Sequence, residues 1–471
     1  MLSHIHWTYF LPLHPLLATL FSVFLLTQAH QRRSETTLTW ILAFFLIPYL
    51  SILIFILAGY RYTLRKKAAQ PNPTPQRHCS LQDSHNELPH DFHHICTLTQ
   101  NLTDFPPTRG NSVGVLDKAY LTYKALTEAI TSARHHVHLE YYIFRPDEAG
   151  KQFRDLLIEK AQQGVECRLL VDAVGSFSLS SSFLRPLEKA GVEVAFFWPL
   201  RLRSPWGFHL RNHRKLAIID GTTGFIGSQN IGNEYFQWRK RKVLWRDVAV
   251  QVHGPAVAHL QSIFVEDWSF TTKTILSGER YFPENEPSGE SVVQVIPTGP
   301  KEADSALEMI LTSLFHHARE RISILTPYFI PTSAFVLTLK SLAQQGIAVE
   351  ILLPQKSDHW LVSTIAKSWY GELLEAGVKI FESTKAFVHA KVAIIDDTVS
   401  FIGSANMDRR SFYINFESSL LVFDRNLQKS LVGTLADIKS ESKELHLAEL
   451  AEPTSFSRLR DNIVQIASPL L

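Results

Sequence analysis

The sequence predicts an α/β fold: two pseudo-twofold-related αβα halves, with an active site at their interface, behind an N-terminal two-helix transmembrane hairpin. Three observations carry that reading. The pattern His-x-Lys-x-x-x-x-Asp occurs twice, as His213, Lys215, Asp220 and as His389, Lys391, Asp396. Strand-like and helix-like segments alternate in the same order ahead of each copy, as expected of a sheet covered by helices. Two long apolar runs open the chain. At 471 residues there is room for the hairpin and two domains of ordinary size.

The apolar runs extend from about Trp7 to Thr27 and from about Leu38 to Gly59. Each approaches the roughly 20 residues that cross a bilayer core as a helix. Pro12, Pro15 and Pro48 are tolerable kinks in such a setting. Arg61, Arg65, Lys66 and Lys67 follow the second run, against Arg32 and Arg33 in the connecting loop. The bias of basic residues toward the cytoplasmic side therefore predicts a hairpin over residues 1–67 with both ends, and the body, in the cytoplasm. A cleaved signal peptide is disfavoured, because the first run lacks a basic leader and a second run follows at once.

Residues 68–115 read as a linker. Gln70 to Gln76 is a proline-rich spacer, and His78, His85, His90, His93 and His94 follow without carboxylate or cysteine partners at metal-ligand spacing. The first half, 116–285, then shows a strand from His136 to Phe144, a helix from Phe153 to Gln163 ending at Gly164, and a strand from Val165 to Val174. The second half with the C-terminal tail, 286–471, repeats the order with Ile322–Ile330, Ser333–Gln345 ending at Gly346, and Ile347–Leu353. Val192–Phe197 and Val378–Phe381 add a third strand to each half. The Gly/Pro/Glu-rich stretch Ser277–Gly289 is the border between them.

Each His-x-Lys segment runs into a strand, Leu216–Ile219 and Val392–Ile395. Residues two apart on a strand share a face, so each half presents one imidazole and one ammonium toward a common point. Each Asp lies an odd step from its Lys and faces away. The copies also match beyond the motif, Lys-Leu-Ala-Ile-Ile-Asp against Lys-Val-Ala-Ile-Ile-Asp and Phe-Ile-Gly-Ser against Phe-Ile-Gly-Ser, ending in Ser228, Asn230 and Ser404, Asn406. Two imidazoles and two ammoniums suit transfer of a phosphoryl-linked group through a phosphohistidine: one nucleophile, one proton donor, and a cationic cradle. A net charge of +2 argues against a nucleic-acid partner. Cys79, Cys96 and Cys167 imply no disulfide framework and fit a reducing compartment.

These motifs, with His138-Leu-Glu-Tyr-Tyr-Ile-Phe144, Arg211-Asn-His-Arg-Lys215, Trp245-Arg-Asp247, Asp267-Trp268, Thr326-Pro-Tyr-Phe-Ile-Pro331 and Asn406-Met-Asp-Arg-Arg-Ser411 through Asn415-Phe-Glu417, resemble bacterial cardiolipin synthases of the phospholipase D superfamily. The resemblance implies phosphatidyl transfer between two phosphatidylglycerol molecules, giving cardiolipin and glycerol, without metal or cofactor, in a multi-pass protein of the bacterial cytoplasmic membrane. It assigns His213 as nucleophile and His389 as general acid, then base; the near-symmetry of the sequence does not decide this. Lys215, Lys391, Ser228, Ser404, Asn230 and Asn406 are expected to hold the phosphate. Asp220 and Asp396 belong to the motif but are largely structural in such proteins, and the imidazole partners are expected downstream, Asp247 for His213 and Glu417 for His389. Other acceptors, such as water, serine or an ethanolamine lipid, would use the same residues. A nuclease and a silent membrane scaffold are the readings from other classes. The sequence leaves the oligomeric state and acyl-chain preference open.

Two weaker expectations concern the surroundings. Phe196, Phe197, Trp198, Trp206 and Phe208 with Arg201, Arg203 and Arg211 form either a lip that dips into an anionic lipid surface or ordinary core and solvated positions. Arg239–Lys242 reads as a solvated charge run, and Glu140 and Tyr142 either line the site or pack a strand.

Overall fold

A computed structural model of the chain describes residues 7–27, 34–55, 92–199, 210–236, 244–300, 305–358 and 360–450. The chain divides into two compact units, one containing the N-terminal helices and the other the α/β body.

In the N-terminal unit the first apolar run is a helix, Trp7–Thr27, with Pro12, His14 and Pro15 interrupting its apolar character in the first half. The second run is divided. Ser34–Leu46 and Pro48–Ile54 are separate helices, because Ile47 leaves helical geometry (φ −140°, ψ 66°) immediately before Pro48. Among the described residues no helix is long and apolar enough to cross a membrane. The helices pack through Trp40, Phe44 and Phe55, with the Phe44 and Phe55 rings edge to face at 5.3 Å. Leu16, Leu20, Leu38, Leu42, Phe45 and Leu46 point outward and are exposed.

Among the described residues the body contains one fifteen-stranded sheet whose order makes the duplication explicit. From its edge inward the first half runs Glu193–Phe197, Glu166–Asp172, His136–Tyr141, Lys215–Ile219, Thr223–Gly227, Ala249–His253, Thr108–Leu116. The second runs Lys379–Ser383, Ala348–Pro354, Arg321–Leu325, Val392–Ile395, Val399–Gly403, Glu417–Phe423, Ser291–Thr298, with Ser442–Leu445 added outside. In both, the three strands on the edge side of the motif strand are mutually parallel and the motif strand is antiparallel to its neighbours. The halves join where Thr108–Leu116 pairs with Ser291–Thr298 across a register shift. Buried Asn111 spans that irregularity, donating to Thr108 O (2.9 Å) and accepting from the Ala256 N–H (2.8 Å).

The expected linker of residues 68–115 is too long. His93–Thr103 is a helix that carries Ile95 and Cys96 into the core of the second half, and Thr108–Leu116 is a central strand. Gly110, Asn111 and Gly114 break the apolar alternation by which a strand is recognised in sequence. The long strand expected at Ile322–Ile330 is two, Arg321–Leu325 and Phe329–Ile330. Each half has its own apolar cluster under covering helices, such as Glu148–Gln162, capped by Asp147 accepting from the Gly150 N–H, and Ser333–Gln344, capped by Thr332.

Candidate active site

Each motif histidine stands just before its strand, and each is paired across the halves. The backbone explains why. Leu244–Arg246 of the first half forms a parallel ladder with Ala386–Val388, the residues that lead into the second motif. His389 N–H donates to Arg246 O (2.8 Å), which places Asp247 beside His389. At the other motif His213 N–H donates to Phe416 O (2.9 Å) and Phe416 N–H to Arg211 O (2.9 Å), which places Glu417 beside His213. The side chains follow: His213 Nδ1 bonds Glu417 (2.9 Å) and His389 Nδ1 bonds Asp247 (2.6 Å). The expected partners are therefore exchanged, Glu417 for His213 and Asp247 for His389. Linear position suggests a carboxylate serving its own half, whereas the strand pairing carries each carboxylate across.

The lysines share the histidine side of their strands, and each ammonium donates to the carbonyl of its own histidine, Lys215 to His213 O (2.5 Å) and Lys391 to His389 O (2.6 Å). Asp220 and Asp396 point the other way. Asp220 accepts the backbone N–H groups of Arg134, His135 and His136 (2.7–2.8 Å), and Asp396 those of Arg319, Glu320 and Arg321 (2.7–2.9 Å). Both hold a left-handed backbone (φ 54° and 48°), which a short polar side chain accepts better than most. They are turn braces, not members of the polar centre. The motif glycines mark close strand contact: a Cβ on Gly227 would lie 2.5 Å from Ala249 Cα, and one on Gly403 2.5 Å from Ser419 Cα.

The serines are also reassigned. Ser228 Oγ donates to Asp247 (2.7 Å) and Ser404 Oγ to Glu417 (2.5 Å), so both hydroxyls are spent on the carboxylates rather than held ready for a phosphate. Asn230 Oδ1 accepts the Ile143 N–H (3.1 Å), and Asn406 N–H donates to Ser411 Oγ (3.1 Å). Sequence reasoning missed Ser411 Oγ (2.8 Å) and Asn415 Nδ2 (3.3 Å), both donors to Glu417. It also missed the rings of Tyr235 and Trp245 against His389. Trp245, Ser411 and Asn415 lie in segments whose text resembles the family and Tyr235 lies outside them, but only the fold shows what they touch.

A family described as "Cardiolipin synthase, PLD-like domain" matches residues 126–268 and 311–437, one segment in each half and more than half of the chain. The chain belongs to the cardiolipin synthase family. Two relatives in this cardiolipin synthase family show how far the likeness runs. Cardiolipin synthase 2 of Bacillus anthracis is 34% identical over 452 residues, covering 93% of this chain and 88% of the relative. The major cardiolipin synthase of Bacillus subtilis is 32% identical over 457 residues, covering 94% of this chain and 95% of the relative. The fold is similar to the crystal structure of phosphatidylserine synthase from Haemophilus influenzae Rd KW20, with a TM-score of 0.60 at 15% identity over 81% of this chain and all of that one.

Burial sets the charge state of this cardiolipin synthase-family centre. It pushes both His213 and His389 down to about 4, overcoming the carboxylates beside them, so both imidazoles are neutral near pH 7. Burial works to raise Glu417 and Asp247, but the histidines and lysines facing them outweigh it and hold both below the usual carboxyl range. Burial also drives Lys215 well below the ordinary ammonium range and Lys391 down to about 8. A doubly cationic cradle is thus a state that an entering anion stabilises.

The remaining expectations divide. Tyr142 does line the site: its ring meets His213 edge-on at 5.0 Å and lies 5.4 Å from Lys215 Nζ. Glu140 does not, being turned beneath the His213 loop. Phe197 is buried against Phe270 and Phe416, and Arg211 is buried on Asp172, so these two are structural rather than a lipid-dipping lip. Arg201, Arg203, Trp206, Phe208 and Arg239–Lys242 lie outside the described residues, as do Cys79, His78, His85 and His90.

Proposed function

We propose that the protein transfers a phosphatidyl group from one phosphatidylglycerol to the glycerol headgroup of a second, giving cardiolipin and glycerol through a phosphatidyl-histidine. The observation that carries this reading is the pair of buried imidazoles, each with Nδ1 on a carboxylate from the opposite half. A proton on each Nδ1 leaves Nε2 of His213 as a lone-pair nucleophile. It attacks phosphorus, forming the P–N bond as the P–O bond to glycerol breaks. His389, protonated at Nε2 as the anionic substrate enters, gives that proton to the leaving alkoxide. It then takes the proton of the incoming hydroxyl, whose oxygen displaces His213. Lys215 and Lys391, with the amides of Asn230 and Asn406, stabilise charge on the equatorial oxygens.

The carboxylates support giving the acid role to His389. Glu417 accepts from four donors, His213, Ser404, Ser411 and Asn415, which spread its charge. Asp247 accepts from His389 and Ser228, and its Oδ2 has no hydrogen-bond partner among the described residues. The less saturated carboxylate better supports an imidazolium. The test supplies detergent-purified protein with phosphatidylglycerol alone and measures cardiolipin and free glycerol. Equal release of both supports the proposal; phosphatidic acid as the main product shows that water is the acceptor and overturns it.

Residues 1–67 are proposed to anchor the protein in the bacterial cytoplasmic membrane as a two-span hairpin with the body in the cytoplasm. The exposed apolar side chains of the N-terminal helices support this, since a solvated helix pair rarely carries so many. Extraction from membranes by alkaline carbonate would refute it.

A further inference from the structure

The loop leading to the first motif strand rests on a buried polar bed that is not repeated at the second motif among the described residues. Asn212 Nδ2 donates to Glu140 Oε1 (2.5 Å) and to Asp267 Oδ2 (3.1 Å), and its backbone N–H goes to Asp172 (3.0 Å). Asn212 Oδ1 accepts the Arg214 N–H (3.0 Å). The Arg214 guanidinium pairs with Asp267 and donates to Glu417 O (3.0 Å), the residue that holds His213. Glu140, Asn212, Arg214 and Asp267 are all more than nine-tenths buried. In the second half Leu325, Val388 and Ala390 occupy the places of Glu140, Asn212 and Arg214, all apolar and buried.

Two carboxyls here face one guanidinium. The other titratable groups nearby are engaged elsewhere, His138 with Gln261, Arg168 with Glu166 and Glu193, and Asp172 with Arg211. Glu140 Oε2 is buried with no hydrogen-bond partner among the described residues, so ionisation would leave a bare charged oxygen out of water. Burial and the neighbouring Asp267 hold the Glu140 carboxyl well above its usual range, against the pull of Arg214 and Asn212.

We propose that Glu140 is a positioning residue that works as a neutral carboxylic acid, clamping Asn212 and so fixing the His213 loop in place. A neutral acid gives Asn212, on the loop that carries His213, an acceptor without adding a second anion beside Asp267. Only the turnover readout rests on the cardiolipin synthase reading.

The test compares full-length Glu140→Gln and Glu140→Ala in detergent with the unaltered protein. Glutamine reproduces a protonated glutamate, its carbonyl accepting from Asn212 and its amide standing where the acid hydroxyl would be. Turnover on phosphatidylglycerol should stay within about threefold in Glu140→Gln. It should fall about 100-fold in Glu140→Ala, the scale of a small misplacement of a reacting group. Infrared difference spectra at pH 7 should show a protonated-carboxyl C=O stretch in the unaltered protein that is missing from Glu140→Gln. Equal impairment of the two variants, or an unchanged infrared band in Glu140→Gln, overturns the proposal. If Glu140→Ala fails to fold, the glutamine variant and the infrared band still decide. If the unaltered protein makes no cardiolipin, the functional reading fails while the infrared result stands or falls alone.

Discussion

The two halves share strand order, motif and turn brace, yet they hold their histidines by different means. His213 sits on a loop clamped by Asp172, Glu140, Asp267 and Arg214, and its carboxylate is saturated with donors. His389 follows Val388 in a loop packed by apolar residues, and its carboxylate, Asp247, keeps one oxygen without a partner among the described residues. Symmetric chemistry rests on asymmetric support. A group that must form and release a covalent bond gains from fixed geometry, whereas a group that moves a proton gains from a basic partner.

The largest effects should come from the histidines. His213→Ala and His389→Ala should each lower exchange about 10⁴-fold or more, since groups that act as a unit fail together. They should differ in one respect: after quenching with labelled phosphatidylglycerol, slow covalent labelling should appear in His389→Ala and never in His213→Ala. Label on His213→Ala would reverse the roles.

Next come the crossed carboxylates, each expected to cost about 10²–10⁴-fold when neutralised. Glu417→Gln should suppress formation of the covalent adduct. Asp247→Asn should let it accumulate, because the proposed mechanism uses His389 as the base for transfer to the second alcohol. The opposite pattern would mean that each carboxylate serves its own half.

The turn braces should be the symmetric control. Asp220→Ala and Asp396→Ala each strand three backbone donors and should cost about 1–3 kcal/mol of stability, with turnover of the folded fraction kept. Unequal losses in thermal or denaturant melts would show that the halves differ even in their scaffold.

The last test is acid sensitivity. His213 and His389 have folded values of about 4 against 6.5 unfolded, so between those values the unfolded chain binds more protons. Their contribution to stability is complete above pH 6.5 and is lost as pH falls toward 4. His136, also held near 4 by burial, adds to the same slope. Melting temperature should therefore fall through this window, and less steeply in His213→Ala and His389→Ala. A slope unchanged in both would refute the burial of neutral imidazoles.

Much of this was legible in the residues. The duplication, the motif strands Lys215–Ile219 and Val392–Ile395, and the outward-facing Asp220 and Asp396 follow from periodicity and repeat alone. The Trp-Arg-Asp and Asn-Phe-Glu segments were recognisable as sources of a carboxylate. Thr108–Leu116 was hidden because its glycines and Asn111 erase alternation, and the second N-terminal run was broken by Pro48 more sharply than its composition suggested.

The sequence by itself determined which side chains could meet at the centre, because local chain geometry orients residues two apart the same way. Only the tertiary structure decided which carboxylate serves which imidazole and which loop is clamped by Glu140. Those choices depend on strands far apart in the chain pairing with each other, Leu244–Arg246 with Ala386–Val388, and on how many charges are buried together. Neither is a property of any local stretch of residues.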